Sequence, residues 1–224
     1  MNGRRYCAYC GSLDVLTSDH VVPKALYPES KRATRFCPIV VDACGPCNNS
    51  WSDDEAHFRN VLLVAGEPPP VVHELWEGKA RRGFHQVDGR KRARDLFAQF
   101  VAVQTSEGER YMIYPARDAR VTRIVRKIIR GLCHHHHLLS PVHDEQFWAD
   151  VQKFAVPDKF LAEMISADAD PDILTYQYAV LDDDTHLHSC WLLKFFGRTP
   201  FFGVVYRSID FCNLFKAGNS EPMD

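Results

Sequence analysis

Apolar residues between positions 121 and 132 recur at steps of three and four: Val121, Ile124, Val125, Ile128, Ile129 and Leu132. With about 3.6 residues per turn these side chains share one stripe, which predicts an amphipathic helix. Arg120, Arg123, Lys127 and Arg130 fall on its opposite side. A second helix is predicted over 51–65: Ser52 and Glu55 have capping-box spacing, Asp53 and Asp54 suit the positive helix start, and Gly66 offers a stop. Residues 173–181, 187–196 and 201–206 are rich in β-branched and aromatic side chains and are parted by Asp182-Asp183-Asp184 and by 197–200. They predict an antiparallel meander. Asp88-Gly89 between 83–87 and 92–103 reads as a hairpin turn, 110–114 as a further strand, and 144–154 and 158–165 as short helices. The elements together predict an α+β fold.

A break in composition falls at Gly66-Glu67-Pro68-Pro69-Pro70, which cannot continue a helix. Residues 1–66 therefore read as one module and 67–224 as a second, mixed α+β unit. The formal net charge is −2, from 27 Lys and Arg against 29 Asp and Glu. That total hides two basic blocks, with seven basic residues against Asp88 over 79–94 and six against Asp118 over 117–130. An acidic block over 141–185 balances them, with eleven acids against Lys153 and Lys159. Basic blocks suit a phosphate backbone or a solvated surface, so near-neutrality does not exclude a nucleic-acid partner.

At 224 residues the chain can bury a core without covalent staples, so size does not account for its eight cysteines. No apolar run reaches the ~18 residues of a membrane span, and the N-terminus lacks an apolar signal core. The expectation is a cytoplasmic protein with reduced thiols and no membrane partner. Two CxxC pairs, Cys7-Ala8-Tyr9-Cys10 and Cys44-Gly45-Pro46-Cys47, stand 33 residues apart. Each pair can present two sulfurs to one ion from a tight turn, and together they supply the tetrahedron Zn²⁺ prefers. Four thiolates leave no open position, so such a zinc is structural. A redox CxxC protein fits two such pairs less well. Cys37 stands alone and reads as a core thiol, with a substitute zinc ligand as the less favoured alternative.

Between the pairs lies Asp19-His20-Val21-Val22-Pro23, and Asn48 follows Cys47 directly. In this order of elements the chain resembles the HNH (His-Me finger, ββα-metal) endonucleases built around a four-cysteine zinc knuckle, over residues 5–60. The continuation from Asn49 through Arg59 is similar to the helix that follows the knuckle in many standalone bacterial members. Five residues before the second CxxC, where many members carry Asn, stands Ile39.

The resemblance implies an N-terminal zinc-knuckle ββα-metal module ahead of the mixed α+β unit, and a metal-dependent nuclease acting on DNA. His20 is then the general base, a role suited to a group that titrates near neutrality. Asp19 and Asn48 hold Mg²⁺ or another divalent ion. Because Asp19 and His20 are adjacent, an extended strand points them to opposite faces, so a bend or a metal–phosphate geometry spanning both is required. His57 is a candidate third ligand or phosphate contact, or else a helix histidine turned away from the site. Arg120, Arg123, Lys127 and Arg130 are candidate DNA contacts, His134 to His137 a helix end, and a homodimer a further expectation. Analogy with standalone members suggests restriction or phage defence. The alternative is a zinc-stabilised module that binds nucleic acid or protein and does not cut.

Overall fold

The computed structural model describes residues 5–33, 38–64, 68–98, 100–105, 108–113, 118–152, 154–182, 184 and 186–209. Strand β1 (Leu16–His20) pairs antiparallel with β2 (Val40–Cys44), with Leu16 opposite Cys44 and His20 opposite Val40. The connection between them carries a 3₁₀ turn at Lys24–Leu26 and the short helix α1 (Glu29–Ala33). Cys44 ends β2 and caps α2 (Gly45–Asn49), where Pro46 fits the first turn because its missing N–H has no helical partner there.

Helix α3 (Ser52–Val64) follows, as the capping pattern predicts. Its first turn differs in detail. The Glu55 amide donates to the Trp51 carbonyl, and the Glu55 carboxylate reaches across to Lys127 at 2.8 Å. Gly66 and Cys37 lie outside the described residues.

Beyond the proline run come α4 (Pro70–Leu75), a π turn at Trp76–Ala80, α5 (Arg81–His85) and α6 (Val87–Phe97). The hairpin expected around Asp88-Gly89 is therefore absent from this stretch. Asp88 sits in the first turn of α6, ahead of Arg90, Lys91, Arg92, Ala93, Arg94 and Leu96, all good helix formers, and their summed propensity outweighs one turn dipeptide. Strands β3 (Val101–Thr105) and β4 (Gly108–Ile113) form the next hairpin, and β4 covers most of the strand expected at 110–114.

Helix α7 (Ala119–His135) begins at Asp118, whose carboxylate accepts from the Arg120 amide at 2.8 Å. The C-terminal part is a five-stranded antiparallel sheet in the order β5-β9-β8-β7-β6. Strands β7 (Leu174–Val180), β8 (Leu187–Phe195) and β9 (Thr199–Tyr206) are the expected meander. Strands β5 (Phe147–Val151) and β6 (Ile165–Asp170) add its two edges, with α8 (Asp158–Glu163) between them. The helix expected at 144–154 is instead a single 3₁₀ turn, Asp144–Gln146, running into β5. There Phe147 and Ala149 alternate inward and pair with Val205 and Gly203, so sheet packing decides the conformation.

Helix α7 packs on α3 and β2 to one side and on β5 and β9 to the other. Two glycines permit this. A Cβ on Gly131 would lie 2.7 Å from Val21 Cγ2, and one on Gly203 would lie 2.6 Å from Ile129 Cδ1. A single buried cluster consequently runs from Cys7 to Val205, and the composition break at 66–70 marks no gap in packing. Among the described residues no helix is long and apolar enough to cross a membrane.

Gly131→Ala is expected to lose stability. Alanine gains about 1 kcal/mol as a helix former, but crowding the buried Val21 costs about 1–3 kcal/mol. Denaturant unfolding should show the net loss, and adding Val21→Ala to Gly131→Ala should cost less than Val21→Ala does alone.

Candidate functional site

The first cysteine pair lies on a tight turn in which the Gly11 amide donates to the Cys7 carbonyl and the Cys7 amide to the Ser12 carbonyl, both at 2.8 Å. Gly11 adopts φ +74°, a left-handed conformation that a side chain would strain. The Ala8 amide donates to the Asp42 carbonyl at 2.8 Å and so fastens this turn to β2, whose last residue is Cys44. The sulfurs of Cys7, Cys10, Cys44 and Cys47 all lie within 4.8 Å of one another, with Cys10 Sγ 3.6 Å from Cys44 Sγ.

A tetrahedral ion with metal–sulfur bonds of about 2.3 Å needs sulfurs about 3.8 Å apart. The cluster therefore fits a metal ion such as zinc. Burial works against a thiolate at Cys7, but hydrogen bonds from the backbone at Cys44, Tyr9 and Cys10 outweigh it and bring that thiol down to about 7. Burial pushes Cys10 and Cys47 up. A divalent cation at the centre would offset both the burial and the mutual repulsion of the sulfurs.

Asp19 and His20 occupy consecutive positions of a regular ladder, opposite Val41 and Val40. They therefore point to opposite faces. Asp19 turns inward and is 7% exposed, and its Oδ2 accepts from Tyr9 Oη at 2.6 Å and lies 3.0 Å from Lys127 Nζ. His20 is half-buried. Burial, followed by the positive charge of Lys24, holds its imidazole below the ordinary value of 6.5. The loop after it is tied down through main chain, the Val21 amide donating to the Ile39 carbonyl at 3.0 Å, so Ile39 needs no side-chain amide to make this link. Asn48 is half-buried on α2 and donates from Nδ2 to Thr17 Oγ1 on β1 at 2.9 Å.

His57 sits with Nε2 2.7 Å from Asp118 Oδ2. This contact ties α3 to the cap of α7. The histidine run ends α7, with His134 Nδ1 2.9 Å from Ser140 Oγ and His136 Nε2 2.9 Å from Tyr176 Oη. Cys133 and Cys190 are buried free thiols of the core.

The basic side of α7 departs from expectation. Arg120 remains exposed, and Arg123 is partly exposed while pairing with Asp54 at 2.5 Å and lying 4.7 Å above the Trp51 ring. Lys127 and Arg130 are buried, at 0% and 7% exposure, and so lack the solvent access that the expected DNA contacts need. Arg130 donates to Asp144 at 2.9 Å and to the Tyr9 carbonyl. Lys127 donates to the His20 carbonyl at 2.7 Å and to Glu55 at 2.8 Å, besides meeting Asp19.

Both basic groups are desolvated because α3, β2 and the first cysteine turn cover the side of α7 that periodicity assigns to solvent. The roles of Lys127, Glu55 and Tyr9 are thus missed by motif reading. One signal was present: Lys127 adjoins the apolar stripe beside Ile124 and Ile128. In the other basic block Arg81, Arg82, Arg90, Lys91 and Arg94 are exposed on α5 and α6. No family model, curated protein or solved structure matches the chain.

Elemental analysis of the full-length protein should find one zinc per chain. Cys44→Ser is expected to lose it and to destabilise the fold by roughly 4 kcal/mol or more, as loss of a structural metal does. Cys190→Ser, distant from the cluster, should keep its metal.

Proposed function

We propose that the chain is a metal-dependent HNH endonuclease that hydrolyses phosphodiester bonds in DNA, with the four cysteines holding a structural zinc. The observation that supports this reading is the grouping on one hairpin and its following helix. Strand β1 carries Asp19 and His20, α2 carries Asn48 hydrogen-bonded to β1, and the cysteine cluster closes the end of the same hairpin. Asp19 and Asn48 offer one carboxylate and one amide oxygen, a donor set that fits a hard ion such as Mg²⁺, which completes its shell with water and phosphate. When bound there, a divalent ion neutralises charge developing on the phosphoryl group and the leaving oxygen.

His20 supplies the proton chemistry. Its lowered pKa leaves the ring neutral at pH 7, ready to take a proton from the attacking water. The water oxygen bonds to phosphorus, the bond to the 3′ oxygen breaks, that oxygen takes a proton from solvent water, and 5′-phosphate and 3′-hydroxyl ends remain. Arg120 and Arg123, with the exposed arginines of α5 and α6, are exposed basic groups suited to the DNA backbone.

The opposite facing of Asp19 and His20 on a regular ladder favours a second reading, a module that binds without cutting. Plasmid incubation with Mg²⁺, Mn²⁺ or Ni²⁺ separates the two. The nuclease reading expects cleavage that falls by about 10²-fold or more in His20→Ala while zinc content and folding persist. Salt-sensitive DNA binding with no cleavage under any of the three ions would favour the binding module.

The pH dependence follows from the sign of the His20 shift. The base is active when unprotonated and its pKa lies below 6.5, so cleavage should persist through pH 6.5 and decline only as pH falls further. A decline already complete above pH 6.5 would assign the base elsewhere.

A further inference from the structure

Lys127 is the most completely enclosed charge among the described residues. It is 0% exposed, and its Nζ lies 2.7 Å from the His20 carbonyl, 3.0 Å from Asp19 Oδ2 and 2.8 Å from Glu55 Oε1. No phosphate of a bound DNA can reach it there. Stability alone is a weak account of such a group, because a buried ion cluster is often matched or exceeded by well-packed apolar residues of similar volume. What distinguishes this ammonium is its choice of acceptors. It bonds the carboxylate of Asp19 and the main-chain oxygen of the next residue, His20, and so grips the one dipeptide that carries both proposed functions.

We propose that Lys127 is a positioning residue of the His20 site, holding Asp19 by one carboxylate oxygen so that the other is presented to a divalent cation, while fixing the His20 peptide. This rests on the nuclease reading above. Tyr9 Oη and Lys127 Nζ share Oδ2 of Asp19, which leaves Oδ1 outside both contacts. Metal-ligating carboxylates are commonly oriented by such hydrogen bonds from behind.

The test uses the full-length, zinc-loaded protein and Mn²⁺ as the probe, read by electron paramagnetic resonance titration and by the Mn²⁺ concentration needed for half-maximal plasmid cleavage. Lys127→Met is expected to raise both by about 10–100-fold with zinc content unchanged, and Lys127→Arg, which keeps the charge, to restore most of the loss. Because Lys127→Met leaves Asp19 and Glu55 without their ammonium, Lys127→Met combined with Glu55→Gln serves as a version with less uncompensated charge, and the same loss is expected of it. Val61→Ala, a core change on α3, controls for stability and should lower the melting temperature without moving Mn²⁺ affinity. If the Lys127 variants likewise lower the melting temperature and leave both Mn²⁺ values unmoved while wild type cuts, the inference is overturned and the nuclease reading stands. If wild type takes up no Mn²⁺ and leaves the plasmid intact, both fall.

Discussion

An ammonium group removed completely from water must be met by charge and hydrogen bonds, and much of this molecule's arrangement can be followed outward from that requirement at Lys127. Its partners come from two elements, Asp19 and the His20 carbonyl on β1 and Glu55 on α3, so that with α7 three elements meet at one ammonium. Each fixes a relative position that the others then share. Arg130, about one turn further along α7, repeats the device at the first cysteine turn, gripping the Tyr9 carbonyl and Asp144. The helix is thus fastened to the hairpin by directional contacts, and to the sheet by apolar packing around Ile129 and Gly203.

The cysteine cluster and the Lys127 cluster divide the work of shaping the hairpin. The thiols close the end where Leu16 meets Cys44, and the lysine acts at the end where His20 meets Val40. Because the two ends are separately restrained, the ladder between them holds its register without a third strand. A two-stranded ribbon alone in water is marginal at best, and here packing against α2 and α7 supplies the missing face.

The legible parts of the sequence were those whose signal is local. The tetrahedral thiol set follows from two short spacings, α7 from its apolar period, and the meander from strand runs parted by turn residues. Asp88-Gly89 failed because turn chemistry is a two-residue signal competing with a longer run of helix formers, and β5 was missed because its conformation is set by β9, more than fifty residues away. The site was half legible for the same reason. Asp19, His20 and Asn48 stand in a motif, whereas Lys127 becomes relevant only when the chain brings its two parts together over 107 residues. Periodicity assigns charged residues to water on the assumption that a helix has one buried face, and α7 has two.

The contact from Arg130 to the Tyr9 carbonyl spans 121 residues, and this gives the protein an order of assembly. During synthesis the cysteine turns, β1, β2 and α3 leave the ribosome well before α7 exists to cover them. Metal capture can organise the thiols at that stage, but Asp19 and Glu55 then have no ammonium between them, and Val21 and Leu62 lack part of the cover they have in the complete core. The proposed reacting groups of the N-terminal segment therefore depend, for the contacts that hold them in the finished fold, on a part of the chain that is made later.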